Sequence, residues 1–241
     1  MEQNKIRTYL KYAIGEIALV MIGILLALQV NNWNQNRLQE HEEFFYLAKL
    51  QQSIAQDTTT YIGVIGFLDL AINSISTIQN ELNNTGIESF SLDITSPLLS
   101  TYKRSIERST WDNLISTGKI SLIHNNVVSD SLFKYYYDYE NNILGWNEAQ
   151  THYTREIIAP FLMEFDDTNW EAFDITISNL GDDVPILMQR NISDYRDEAL
   201  FRNILRFKTS ALKSVRQSYI ETLQSAKSLI TLIEQELIKT G

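Results

Sequence analysis

From Tyr12 to Val30 the chain reads YAIGEIALVMIGILLALQV, apolar throughout except for Glu16, Gln29 and a few small or hydroxylated positions. At about 1.5 Å rise per residue, a helix over this stretch spans roughly 28 Å, close to the hydrocarbon thickness of a bilayer. Beyond it the pattern becomes helical rather than continuous. Leu38, Phe44, Phe45, Leu47, Leu50 and Ile54 carry that spacing, and neither glycine nor proline separates them from the apolar stretch. One long helix is therefore expected, ending near Asp57. Ile62, Ile65, Leu68, Ile72, Ile75, Ile78 and Leu82 then recur at steps of three and four, predicting a second helix from Thr58 to Leu82.

Asn83 to Pro97 is expected to be a loop, with Asn-Asn-Thr-Gly and Ser-Pro as its punctuation. A third helix is expected over Pro97–Ser116, with Gly118 past its end as a C-cap. Asn125-Asn126 breaks and restarts the chain. Val127–Phe165 predicts a fourth helix, bent or interrupted near Pro160. Asp166 to Asn191, with Gly181 and Pro185, is the least regular region. Asp194–Ile238 predicts a final long helix, whose Leu205, Leu212, Tyr219, Ala226 and Ile233 recur every seven residues as bundle packing requires. The expected fold is all-α: one N-terminal transmembrane helix continuing into an extracytoplasmic helical bundle. Its expected parts are residues 1–11 in the cytoplasm, 12–30 in the membrane, 31–57 as a helical stalk and 58–241 as the helical domain.

Composition supports this. Three prolines and nine glycines in 241 residues are few breakers for a many-turned β fold. Apolar residues make up 44%, enough for a core. The net charge of −10 argues against nucleic acid, whose phosphates demand basic patches. Cysteine is absent, which removes disulfides, thiolate catalysis and a lipid-bearing cysteine.

Lys5, Arg7 and Lys11 precede the apolar stretch, and Arg37 is the only cation close behind it, so the N-terminus is expected in the cytoplasm. Tyr12 and Trp33 fit interfacial anchors at its two ends. A cleaved signal peptide has a similar plan, but this stretch is long for one and no clean small-x-small site follows. Glu16 is costly among lipid tails. At about 100° per residue, Glu16, Val20, Gly23 and Ala27 share one face, and Gly23 and Ala27 have the small-xxx-small spacing that lets helices approach closely. That face either packs against another helix, or Glu16 snorkels to the cytoplasmic interface.

The stretch KYAIGEIALVMIGILLALQVNNWNQNR resembles the opening of an uncharacterised Bacteroidetes family, domain of unknown function 6090. Gly15, Glu16, Ile17, Ile22, Gly23, Ile24, Ala27, Leu28, Gln29, Asn31, Asn32, Trp33 and Asn34 carry the resemblance. Trp111 to Ile123, WDNLISTGKISLI, with the YYYDYE that follows, is similar to that family's middle segment. The resemblance implies a membrane-anchored protein of Bacteroidetes type, and it brings no activity, cofactor or catalytic residue.

Motifs of chemistry are sparse. His41, His124 and His152 are the histidines; His152 and Glu156 could seat one cation as an i,i+4 pair, two ligands being too few for a metal site. Asp166-Asp167 and Asp182-Asp183 read as acidic turns without calcium-loop spacing. G-x-S-x-G, G-x-G-x-x-G and the P-loop pattern do not occur. Tyr135, Tyr136 and Tyr139 form an aromatic group on one helix, read as core packing or as the wall of a cleft. No enzyme, cofactor or metal is expected. The partners expected are the lipid bilayer and a second copy or another membrane protein, with no nucleic acid. The function expected is that of a tethered interaction or scaffold protein. The alternatives are a ligand-sensing domain acting through a partner and an accessory subunit of an ion-driven complex using Glu16.

Overall fold

The computed structural model describes residues 2–165 and 191–240, with residues 2–14 and 240 described by backbone alone. The expectations for Asp166 to Arg190 lie outside the described residues. The described residues are helical or irregular, with no strand among them.

Helix α1 runs unbroken over Glu2–Asn83. The break expected after Asp57 is absent, because Thr58, Thr59 and Thr60 keep their N–H groups. Gly63 and Gly66 each cost a helix about 1 kcal/mol relative to alanine without removing a hydrogen bond. Packing repays that cost. Leu47, Leu50, Ile54, Asp57, Tyr61, Val64, Leu68, Ala71, Ile75, Ile78 and Leu82 are buried, at alternating steps of three and four. This is a heptad seam, and each large aliphatic side chain in it contributes about 1.5–3 kcal/mol by leaving water. Burial begins at Glu43, so the C-terminal part of the expected stalk, residues 43–57, lies within the bundle. From Gly15 to Glu42 every residue is exposed.

Past Asn83 the chain turns and returns along α1. The Arg196 guanidinium closes this far end, donating to the carbonyls of Leu82 at 2.7 Å, Asn84 at 2.7 Å and Ile87 at 3.0 Å. The first two are carbonyls at the end of α1 that a helix C-terminus leaves open, and the third belongs to the turn that follows. The helix expected over Pro97–Ser116 is instead two short ones, α2 (Thr95–Leu99) and α3 (Ser109–Ser116). Between them Ser100 to Arg108 forms an irregular, largely extended strap. Between Leu99 and Trp111 only Tyr102 and Ile106 are apolar, too few to give a helix a face to bury. Gly118 follows α3 in the left-handed region at φ 71°, as its expected C-cap role requires, and a 3₁₀ turn covers Lys119–Leu122. Asn125 then caps the next helix, its side chain accepting from the Val127 N–H at 3.0 Å.

The next leg is one helical path from Asn126 to Phe165 containing two π-helical stretches. It comprises α4 (Asn126–Asp138), Tyr139–Leu144, α5 (Gly145–Tyr153), Thr154–Ile158 and α6 (Ala159–Phe165). Its buried positions include Tyr139, Ile143 and Asn147, then Gln150, Thr154 and Ile158, giving steps of four and four where a heptad alternates. Each π stretch thus inserts one residue while the same face stays inward. The second stretch ends two residues before Pro160, at the interruption the proline predicts.

The last leg starts as α7 (Ile192–Asp197), breaks at Glu198, and continues as α8 (Ala199–Thr240). The single helix expected from Asp194 is thus interrupted near its start. Leu205, Leu212, Tyr219, Ala226 and Ile233 are all buried on α8, as their seven-residue recurrence predicts. Gln51 meets Glu234 at 3.0 Å and Asn125 meets Glu236 at 2.7 Å, so α8 ends beside the point where α1 enters the bundle. The legs run up, down, up and down, and the second is mostly not helical.

Candidate functional site

Glu16, Val20, Gly23 and Ala27 lie exposed on one continuous helix, and among the described residues nothing beyond the helix's own backbone comes within 4 Å of a Cβ placed on Gly23. Trp33 is exposed with the Arg37 guanidinium 5.7 Å from its ring centroid. Tyr12 belongs to α1, and its side chain is outside the described set. Gly15 to Asn83 is the one described helical stretch long and apolar enough to cross a membrane.

Inside the bundle, most polar groups that would suggest chemistry have a local task. The strap lacks helical hydrogen bonds, so its backbone needs other partners. Lys208 Nζ and Gln150 Nε2 both donate to the Ser100 carbonyl, at 3.0 and 3.1 Å. The Tyr219 hydroxyl donates to the Tyr102 carbonyl at 3.3 Å, and the Tyr139 hydroxyl to the Arg104 carbonyl at 2.9 Å. The Glu107 N–H donates to Asp57 Oδ1 at 3.1 Å. Alternate strap carbonyls thus point at the helices, as in a strand, and core side chains receive them.

Asp57 is 2% exposed in the middle of α1, not at a helix end. Tyr61 and Tyr135 hydroxyls lie 3.0 Å apart, and Tyr135 donates onward to Asp57 Oδ2 at 2.9 Å. Desolvation holds the Asp57 carboxyl above the usual range, although both hydrogen bonds pull it down. Burial likewise lowers the Lys208 ammonium to about 7; its second contact is Thr154 Oγ1 at 3.1 Å. Tyr136 stacks on Trp111 with ring centroids 4.5 Å apart, fastening the Trp111–Ile123 segment to α4. The tyrosine group is therefore core packing together with a hydrogen-bonded strap anchor.

One open polar cleft lies where α1 enters the bundle. Asn36, Gln39, Glu40, Glu43, His124, Glu236 and Lys239 line about 450 Å³. Buried Glu43 accepts from the His124 N–H at 2.8 Å and lies 2.6 Å from His124 Nδ1. The Asn125 amide and Lys239 hold Glu236 below its usual range. His41 is exposed, as are His152 and Glu156, and a π-helical stretch begins between the latter two.

Sequence reasoning had not singled out Lys208, Gln150, Asn147 or Thr154. The signal for Lys208 was present: extending the α8 heptad from Leu205 and Leu212 puts position 208 in the seam. Asn147 and Gln150 lie between the π stretches and Thr154 opens the second, and a fixed periodicity does not follow their phase shifts.

No curated protein and no solved structure matches the chain significantly. A family model does match, over residues 16–148, which takes in α1 from Glu16 to its end with Gly23 and Ala27, the strap and the start of the α4 leg. The match covers more than half of the chain, and the chain belongs to this family, described as a family of unknown function (DUF6090).

Proposed function

We propose that this chain is a single-pass inner-membrane protein of Bacteroidetes type, with its N-terminus in the cytoplasm, whose bundle stands outside and serves as a tethered interaction module. One observation carries the reading. The exposed apolar helix and the first helix of the bundle are the same helix, without a hinge between Gly15 and Asn83. Large apolar side chains such as Leu19 at 73% exposure are unsupported in water and at ease in lipid. Lys5, Arg7 and Lys11 set the orientation. The core carboxylate and lysine are engaged in holding the strap, which favours interaction over catalysis.

The interaction begins in the membrane, at Glu16, Gly23 and Ala27, where small residues allow a second helix to approach. Native mass spectrometry of the full chain, purified from its own membranes, tests this. The expected result is association with a second copy or another membrane protein, weakened by Gly23→Leu, although leucine inserts better. A lone chain, or association indifferent to both Gly23→Leu and Glu16→Gln, contradicts it.

A further inference from the structure

The side of α1 that faces away from the bundle is almost without charge. From Gln52 to Asn80 the outward positions include Thr59, Ile62, Gly63, Gly66 and Leu70, all exposed. Ile62 is 56% exposed, Phe67 beside them 55% and Leu70 64%. Of the two acids in that stretch, Asp57 is buried in the seam and Asp69 is turned toward α8, where Arg216 Nε holds it at 2.5 Å. By contrast, α8 exposes Arg206, Lys213, Glu221 and Lys227 over a similar length, as a helix face in water normally does.

We propose that this face is covered by a second copy of the chain, lying parallel, so that α1 of one copy packs along α1 of the other. This rests on the membrane-tethered reading, because two copies anchored in one bilayer share an orientation. In a parallel two-fold pair each residue meets its own counterpart, so any charge on the seam opposes itself. Between Gln52 and Asn80 the outward face holds no such charge, and Glu16, at the cytoplasmic end of the membrane stripe, is the one carboxylate in line with it; a different partner carries no such constraint.

Position and area agree. Phe45, exposed two residues past the start of burial at Glu43, is in line with Ala27 and within about 40° of Gly23 on a helix turning about 100° per residue. The membrane stripe therefore leads directly into the outward face of the bundle. That face is about 40 Å long and about 10 Å wide, offering about 400 Å² per copy, and the membrane segment adds about 250 Å². Together they approach the about 800 Å² per partner of a stable interface. Gly63 and Gly66 have nothing within 4 Å of a built Cβ, so they leave a flat strip beside Ile62 and Leu70.

The chain has no cysteine, so single-cysteine variants report cleanly. The full-length protein is oxidised with copper phenanthroline in its native membranes. Thr59→Cys, on the outward face, is expected to form a disulfide-linked dimer about tenfold faster than Lys213→Cys on exposed α8. Adding Gly66→Arg, which meets open space, is expected to slow that dimer about tenfold without lowering the melting temperature, since arginine suits a helix better than glycine. Crosslinking of Gly23→Cys without Thr59→Cys overturns the proposal and leaves the membrane contact standing. Thr59→Cys reacting no faster than Lys213→Cys, or indifferent to Gly66→Arg, overturns it as well. Crosslinking to a different polypeptide refutes the second copy. Protein released by alkaline extraction removes the anchor, and with it both readings.

Discussion

The Tyr135 hydroxyl donates to Asp57 Oδ2 at 2.9 Å, joining two legs of the bundle through a carboxylate that is 2% exposed. Glu107 N–H holds the other oxygen at 3.1 Å. Replacing Tyr135 with phenylalanine leaves Oδ2 buried without this donor and Tyr61 without its acceptor. The expected cost is about 1–3 kcal/mol in thermal or denaturant unfolding of the full chain in detergent. A loss below about 0.5 kcal/mol contradicts this account of the network.

Lys208 yields a pH dependence. Its folded value of about 7 lies below the ordinary 10.5 because burial disfavours the ammonium. The unfolded chain therefore holds this proton more tightly. Stability tied to Lys208 is fully present above about pH 10.5, declines as pH falls and reaches its floor below about pH 7. Gln150 continues to satisfy the Ser100 carbonyl when Lys208 is changed to methionine. Lys208→Met should therefore be neutral or stabilising at pH 6, and its melting temperature should rise less than that of wild type between pH 7 and 10. Equal slopes in the two proteins rule the explanation out.

The π stretch Tyr139–Leu144 adds one residue to an otherwise regular seam. Deleting exposed Asn142 restores steps of three and four from Tyr139 to Thr154, where the second π stretch begins. Deleting Ser131 from α4 instead turns every later residue by about 100°. The Asn142 deletion is expected to express and melt cooperatively, and the Ser131 deletion is not. Equal damage from both contradicts the one-residue insertion.

Much of the fold was legible because its periodicities are long and clean. The α1 seam at Leu47–Ile54 and at Leu68, Ile75, Ile78 and Leu82, the heptad of α8, the Gly118 cap and the Asn125 restart all stood in the sequence, whereas Ile62, which its spacing assigned to the buried face, is exposed and Tyr61 is buried instead. Asp57 misled because a short acid between helical runs resembles a terminus, and only tertiary partners from the strap and α4 make it a core residue. The strap itself was hidden. Its inward carbonyls are satisfied by side chains 35 to 117 residues away, and no local pattern announces such pairing. The stripe of Glu16, Gly23 and Ala27 was visible as a face, but among the described residues nothing from another element packs against it.

The account turns on α1 passing from one side of a membrane to the other as a single helix. Cysteine substitution followed by labelling with a membrane-impermeant maleimide in spheroplasts tests this, since the chain has no thiol of its own. Ser76→Cys, exposed on α1 within the bundle, should label in intact spheroplasts. Asn4→Cys should label only after permeabilisation. Labelling of Asn4→Cys in intact spheroplasts, or protection of Ser76→Cys until lysis, contradicts the topology.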